Sequence, residues 1–178
     1  MRLRVSKNLP VALAVFVVVA FLAIIVLYFA LSGEVYGYGE LVMRLPDEFE
    51  TYEAKDVYDS AYSDGSIIVG ILRLSFDKCA SDGIPTTMSP ESFAEHYKKL
   101  ALSGIPTTDT VRSGDVVYYT YSMTTASGSV YTYVPTFYFS PYAYFVVTYV
   151  MPSAVWEARS DEVLEWAESV RIQPSRVE

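Results

Sequence analysis

From Val11 to Leu31 the chain runs for 21 residues without a charged or strongly polar side chain. As a helix rising 1.5 Å per residue, that stretch covers about 30 Å, the thickness of a bilayer's hydrocarbon core. The alternative, a core helix, asks the rest of the chain to enclose a helix that is apolar on every side, and we reject it. Pro10 suits the first turn, where the N–H it lacks has no internal partner. Tyr28 falls near the far interface, where an amphipathic ring is favoured. Arg2, Arg4 and Lys7 precede the run and no Asp or Glu does. The basic end is therefore expected to stay in the cytoplasm while residues 34–178 cross. A secretory signal peptide shares the basic start, and Ala30-Leu31-Ser32 resembles its cleavage site. Its apolar region, about 7 to 15 residues, is shorter than this one, which favours an uncleaved anchor. A lipoprotein is not expected, because no Cys follows the apolar run. The expected organisation is a cytoplasmic tail over 1–9, a transmembrane helix over 10–31, a juxtamembrane link over 32–39 and an extracytoplasmic domain over 40–178.

Charge divides the chain in the same place. The net charge is −8, yet ten of the 13 Lys and Arg and all 21 Asp and Glu follow residue 33, so the outer part carries −11. Nucleic acid is excluded as a partner, since its binding needs a basic face to replace phosphate counterions. Disorder is excluded for the whole chain, because aromatic residues make up 15% and 16 of them are Tyr. Cys79 is the sole cysteine, so no intrachain disulfide forms and the domain depends on its core.

Residues 32–39 (SGEVYGYG) read as a link because glycine lowers helix propensity. A first strand is expected over about 40–45, stopping at Pro46-Asp47. Two β-rich runs, 57–63 and 67–76, flank Asp64-Gly65, which supplies the positive φ of a tight hairpin. Residues around Cys79 (FDKCASDG) read as turn-rich, and a loop follows. Ser89 then caps a helix with Pro90 at its first position and Glu91 on the favourable end of its dipole. Phe93, Tyr97, Leu100 and Ala101 make its apolar stripe, with Glu95, Lys98 and Lys99 facing away. Strands are expected over 116–125, 129–139 and 142–151. Pro135 marks a bulge or edge in the middle one, and the last is apolar on both faces, as a central strand covered on both sides would be. A final helix spans 153 to about 172, with Ser160-Asp161-Glu162 as a second possible start, and Pro174 stops it. Trp156, Val163, Ala167 and Val170 share one face. The expected fold is an antiparallel sheet of about six strands with amphipathic helices packed on it.

Several stretches together resemble the PsbP-like fold group: LVMRLPDEFE ending the first strand, the YSDGSIIVGILR hairpin, the SPESFAEHYKKL helix, the strand-rich 115–151 and the terminal DEVLEWAESVRI helix. The resemblance covers about residues 38–173 and rests on element order. It implies an α/β/α sandwich around an antiparallel sheet, and a binding or assembly role. It carries over no catalytic residue, and none of the manganese, photosystem or Ran-binding features of that group is matched.

The inventory for chemistry is thin. His96 is the only histidine, so any triad must use it, and one His with one Cys is too few for a common zinc site. Asp56, Asp59 and Asp64 cluster but fail calcium-loop spacing, because Ser60 and Tyr62 stand where the first two ligands belong. Asp161, Glu162, Glu165 and Glu168 read as a solvated helix face. No catalysis, cofactor or metal is expected. The tyrosines are the unusual feature. Tyr119, Tyr121, Tyr131, Tyr133, Tyr142 and Tyr144 crowd three adjacent strands and form a candidate binding surface, set against the simpler account that they fill the sheet's two faces. The expected function is an anchored extracytoplasmic module that binds a membrane-proximal protein within an envelope complex. The alternative is a carbohydrate or small-ligand binder working through a Tyr-rich sheet face.

Overall fold

The computed structural model describes residues 34–54 and 56–173. The tail expected over 1–9, the membrane helix expected over 10–31 and Pro174 lie outside the described residues. No helix among the described residues is long and apolar enough to cross a membrane.

The stretch read as a link begins the fold instead. Strand β1 (Glu34–Tyr38) forms an antiparallel hairpin with β2 (Leu41–Leu45). Gly37 is there for space and not for slack: a Cβ on it would stand 2.2 Å from the Leu41 carbonyl oxygen. Strand β3 (Glu50–Thr51) leads to β4 (Ser60–Ser63) and β5 (Ile68–Ser75). The turn between β4 and β5 forms where the sequence places it, with Gly65 at φ +90°. Asp64 holds the turn by accepting from the N–H groups of Ser66 at 2.8 Å and Ile67 at 2.7 Å, a side-chain mimic of a backbone turn.

Residues around Cys79, read as turns, form a short helix α1 (Phe76–Ser81) that buries the thiol. Helix α2 (Pro90–Ala101) starts as expected, with the Ser89 hydroxyl accepting from Ser92 N–H at 3.2 Å. Its stripe is phased differently. Phe93 and Ala94 are buried, while Leu100 is 59% exposed. Lys98 does not face away: its ammonium lies 4.6 Å from the centre of the Tyr119 ring. A lysine's apolar stem covers the sheet as a small hydrophobe would, which a polarity pattern misreads.

The run expected as one strand over 116–125 is two, β7 (Val116–Tyr118) and β8 (Tyr121–Thr124), preceded by β6 (Val111–Ser113). Both pair with β9 (Val130–Phe139) in one uninterrupted register. Pro135 therefore marks neither a bulge nor an edge. It faces the gap between the two strands, where no N–H is called for, and Thr120 turns its backbone to Thr108 instead. Strand β10 (Ala143–Pro152) lies between β5 and β9 and is buried on both faces for most of its length, as its doubly apolar sequence requires.

Helix α3 (Ser153–Glu168) realises both possible starts, because Arg159 leaves helical geometry (φ −129°, ψ 18°) just before Ser160-Asp161-Glu162. It ends short of the expected 172. The Ser169 hydroxyl accepts from Arg44 N–H at 2.9 Å, and β11 (Arg171–Ile172) joins β2.

The result is a mixed α+β fold with two antiparallel sheets, one of three strands (β1-β2-β11) and one of eight. The large sheet runs β3-β4-β5-β10-β9-β7-β6, with β8 beside β9. One face packs Val69, Val147, Tyr149 and Met151 against α3 and the small sheet, through Leu41, Met43 and Trp166. The other face packs Phe137, Tyr144 and Val146 against α1 and α2, through Cys79 and Phe93. Each such large side chain contributes about 1.5–3 kcal/mol on full burial.

Candidate functional site

Strand registers decide which side chains line up across the large sheet. On the face that carries α1 and α2, Tyr121 is opposite Tyr133, Tyr133 opposite Val150, Val150 opposite Ile68, Ile68 opposite Ser63, and Ser63 opposite Glu50. Met123, Tyr131 and Pro152 form a second row beside this one. Six strands at about 4.8 Å spacing make the first row about 24 Å long. None of its members is fully buried. A few residues along the same strands, by contrast, Phe137, Tyr144 and Val146 are sealed by the helices.

Tyr58 marks the border between the sealed and open halves. Its ring lies where a Cβ on Gly70 would stand, 2.5 Å away, so only glycine permits it. Burial pushes its hydroxyl up to about 12, reinforced by neighbouring Tyr97 and Tyr133 and opposed by Thr148. Burial likewise raises Tyr121, Tyr119 and Tyr97. All these hydroxyls stay neutral donors and acceptors at physiological pH. Tyr121 and Tyr133 stack at 4.8 Å with planes 10° apart.

At the other end of the rows the surface deepens into an open groove of about 540 Å³. Tyr131, Val150, Pro152 and Ile68 form its floor, and Tyr52, Thr51, Ser63, Ser66 and Glu50 its rim. This volume lies within the range of ordinary ligand sites, about 300–1,000 Å³. Glu50 is the single charged residue among those described in its lining.

The six tyrosines singled out from sequence do not form one surface. Tyr121, Tyr131 and Tyr133 stand together on the open half. Tyr119 and Tyr144 are fully buried. Tyr144 stacks on Phe93 at 4.1 Å, donates to the Pro85 carbonyl at 2.8 Å and accepts from Met88 N–H at 3.2 Å. Tyr142 is 60% exposed but lies in the turn before β10. Alternation separates the faces correctly; which part of a face a helix covers is decided by α2, far away in sequence. Tyr52, Tyr58 and Glu50 were missed because they belong to an edge strand and a loop without periodicity.

Other candidates resolve into structure. His96 is half-buried and makes no hydrogen bond among the described residues. Burial raises the Cys79 thiol, which leaves it a poor nucleophile. Asp59 accepts from Arg73 N–H at 2.7 Å, and Glu162 grips Arg159 at 2.7 and 2.9 Å. Among the described residues, no three His, Cys, Asp or Glu stand close enough together to hold a metal ion.

One charged cluster was not foreseen. Glu40 is 7% exposed and accepts from Arg73 through both carboxylate oxygens at 3.2 Å, and from the Ser140 hydroxyl at 2.8 Å. Burial alone would raise its carboxyl, but the Arg73 and Ser140 hydrogen bonds prevail and hold it below the usual carboxylate range. The cluster clamps the β1–β2 turn to the large sheet.

No family model matches the sequence, and no curated protein matches it. Among solved structures, a crystal structure from Bacteroides thetaiotaomicron is similar at TM-score 0.55 and 11% identity, over 80% of this chain. The chain spans 49% of that protein's length. The solution structure of cyanobacterial PsbP from Synechocystis is similar at TM-score 0.48 and 13% identity, covering 79% of this chain and 92% of that one. At such identities the likeness is one of fold alone.

Proposed function

We propose that this chain is a single-pass membrane protein whose acidic domain lies outside the cytoplasm and works by binding, without catalysis, as an accessory module of a membrane-proximal assembly. The observation that carries the binding reading is the half of the large sheet that no helix among the described residues covers, where tyrosine rings and a groove of about 540 Å³ meet on one face. The anchoring part is supported by the uncharged 21-residue stretch from Val11 to Leu31 and the basic residues before it. The non-catalytic part is supported by the groove's chemistry: Glu50 is its one carboxylate among the described lining residues, and glycoside hydrolysis uses a pair. The same groove favours a second reading, in which the occupant is a carbohydrate or another small envelope molecule.

The test places a photoreactive residue at Met123, which is 44% exposed on the open half, and compares it with the same residue at Tyr142. Irradiation of intact cells is expected to give adducts at 123 that are absent at 142. Identical adduct patterns at the two positions would remove this face as the binding surface. Membrane association that resists alkaline carbonate, and is lost when residues 10–31 are deleted, checks the anchor. A soluble chain with an intact N-terminus would overturn it.

A further inference from the structure

We infer that the groove and the tyrosine rows beside it take an uncharged glycan chain laid across the strands; this rests on the reading that the open half of the sheet is the binding surface. Charge narrows the occupant first. The outer part of the chain carries −11, and the described lining offers no Lys or Arg. A phosphate, sulfate or uronate polymer would meet repulsion there with no cation to offset it. Geometry narrows it further. An extended peptide gains affinity by adding to a sheet edge, where backbone N–H and C=O groups are free. Between its ends on the edge strands β8 and β3, the first row crosses β9, β10, β5 and β4, each already paired on both sides. Over those four strands recognition must then come from side chains alone.

The side chains present are of two kinds. Tyr131 provides an aromatic ring, the stacked Tyr121–Tyr133 pair adds ring edges and hydroxyls beside it, and Tyr52 adds a fourth ring at the rim, 44% exposed. Thr51, Ser63 and Ser66 provide small hydroxyls, and Glu50 a carboxylate that accepts hydrogen bonds. A sugar ring has the complementary pair of features: an apolar face of C–H groups to lay on a ring, and an edge of hydroxyls to bond. The first row, about 24 Å long, suits several consecutive sugar units rather than one.

The deciding experiment titrates the full chain, purified in a detergent without a sugar headgroup, with neutral hexasaccharides by calorimetry. The probes are β-1,4-linked glucose, β-1,4-linked N-acetylglucosamine and α-1,4-linked glucose, with α-1,4-linked galacturonate as the anionic counterpart. Saturable binding of at least one neutral probe is expected, weakened at least tenfold by Tyr131→Ala and several-fold by Glu50→Gln, and unchanged by Tyr142→Ala. Glu50 is exposed, so its substitution reads binding and not folding. Absence of binding by every neutral probe, preference for galacturonate, or binding indifferent to both Tyr131→Ala and Glu50→Gln would overturn the inference. Photo-adducts at 123 that are peptides would leave the binding surface standing and remove the glycan. Identical adducts at 123 and 142 would remove the surface itself.

Discussion

Tyr121 and Tyr133 face each other across β8 and β9 with their rings stacked 4.8 Å apart and nearly parallel. They are directly opposed, so the pair stiffens a sheet surface that no helix among the described residues covers. An aromatic pair contributes about 0.5–1.5 kcal/mol beyond its buried area. A double-mutant cycle with Tyr121→Ala and Tyr133→Ala, read by urea unfolding, is expected to give a coupling in that range. A coupling of zero would mean that the rings stand side by side without supporting one another.

Glu40 and Arg73 join the two sheets, and their separation should be costly. Removing one partner of a buried pair leaves the other charge uncompensated, on the order of 3 kcal/mol. Glu40→Ala should lower the urea midpoint accordingly, and Arg73→Met, which strands the carboxylate, by a similar amount. The pH dependence follows from the depressed carboxyl of Glu40. Its contribution is full above the ordinary carboxylate value and is lost as pH falls through the lower folded value. Stability measured from pH 6 downward should therefore decline below about 4.5, and Glu40→Gln should flatten that decline.

Two buried tyrosines on the same face predict opposite responses to the same change. The Tyr119 hydroxyl is buried with no partner among the described residues, whereas Tyr144 both donates to Pro85 and accepts from Met88. Tyr144→Phe should cost about 1–2 kcal/mol, since it orphans the Met88 N–H. Tyr119→Phe should be neutral or stabilising by up to about 1 kcal/mol, because it removes an unpaired polar atom. Thermal unfolding of the two variants side by side settles the contrast. A larger loss for Tyr119→Phe would reveal a bound water that satisfies it.

Residues 34–38 belong to the folded domain. Tyr36 is buried there, donates to the Phe49 carbonyl at 2.7 Å and meets the Tyr62 ring edge-on at 4.7 Å. A version of the protein beginning at Glu34 should unfold cooperatively. One beginning at Glu40, which keeps the whole domain expected from sequence, should melt at least several degrees lower, because it exposes Tyr62, Phe49 and the free edge of β2.

The elements legible in the sequence are those whose cause is local. Asp64-Gly65 closes a turn because one side chain and one permissive residue suffice. Ser89-Pro90 opens a helix for the same kind of reason, and the unbroken apolar run of β10 can only be a strand covered twice. Two of the elements not read as strands depend on partners distant in the chain. Strand β1 pairs with its neighbour β2 but is held to the large sheet by Tyr62, which donates to the Gly37 carbonyl from 25 residues away, and β11 forms because β2 offers an edge 129 residues earlier, at Val42 for Arg171.

The candidate site divides in the same way. Alternation puts Tyr119 and Tyr121 on one face of their run, since successive side chains point to opposite sides of a strand, and the register with β9 adds Tyr131 and Tyr133 to that face. Only the tertiary structure decided that α2 covers Tyr119 and leaves Tyr131 and Tyr133 open. It also placed Glu50, Ser63 and Ile68 in register with them, because the order of strands in a sheet is set by long-range pairing that no local pattern records.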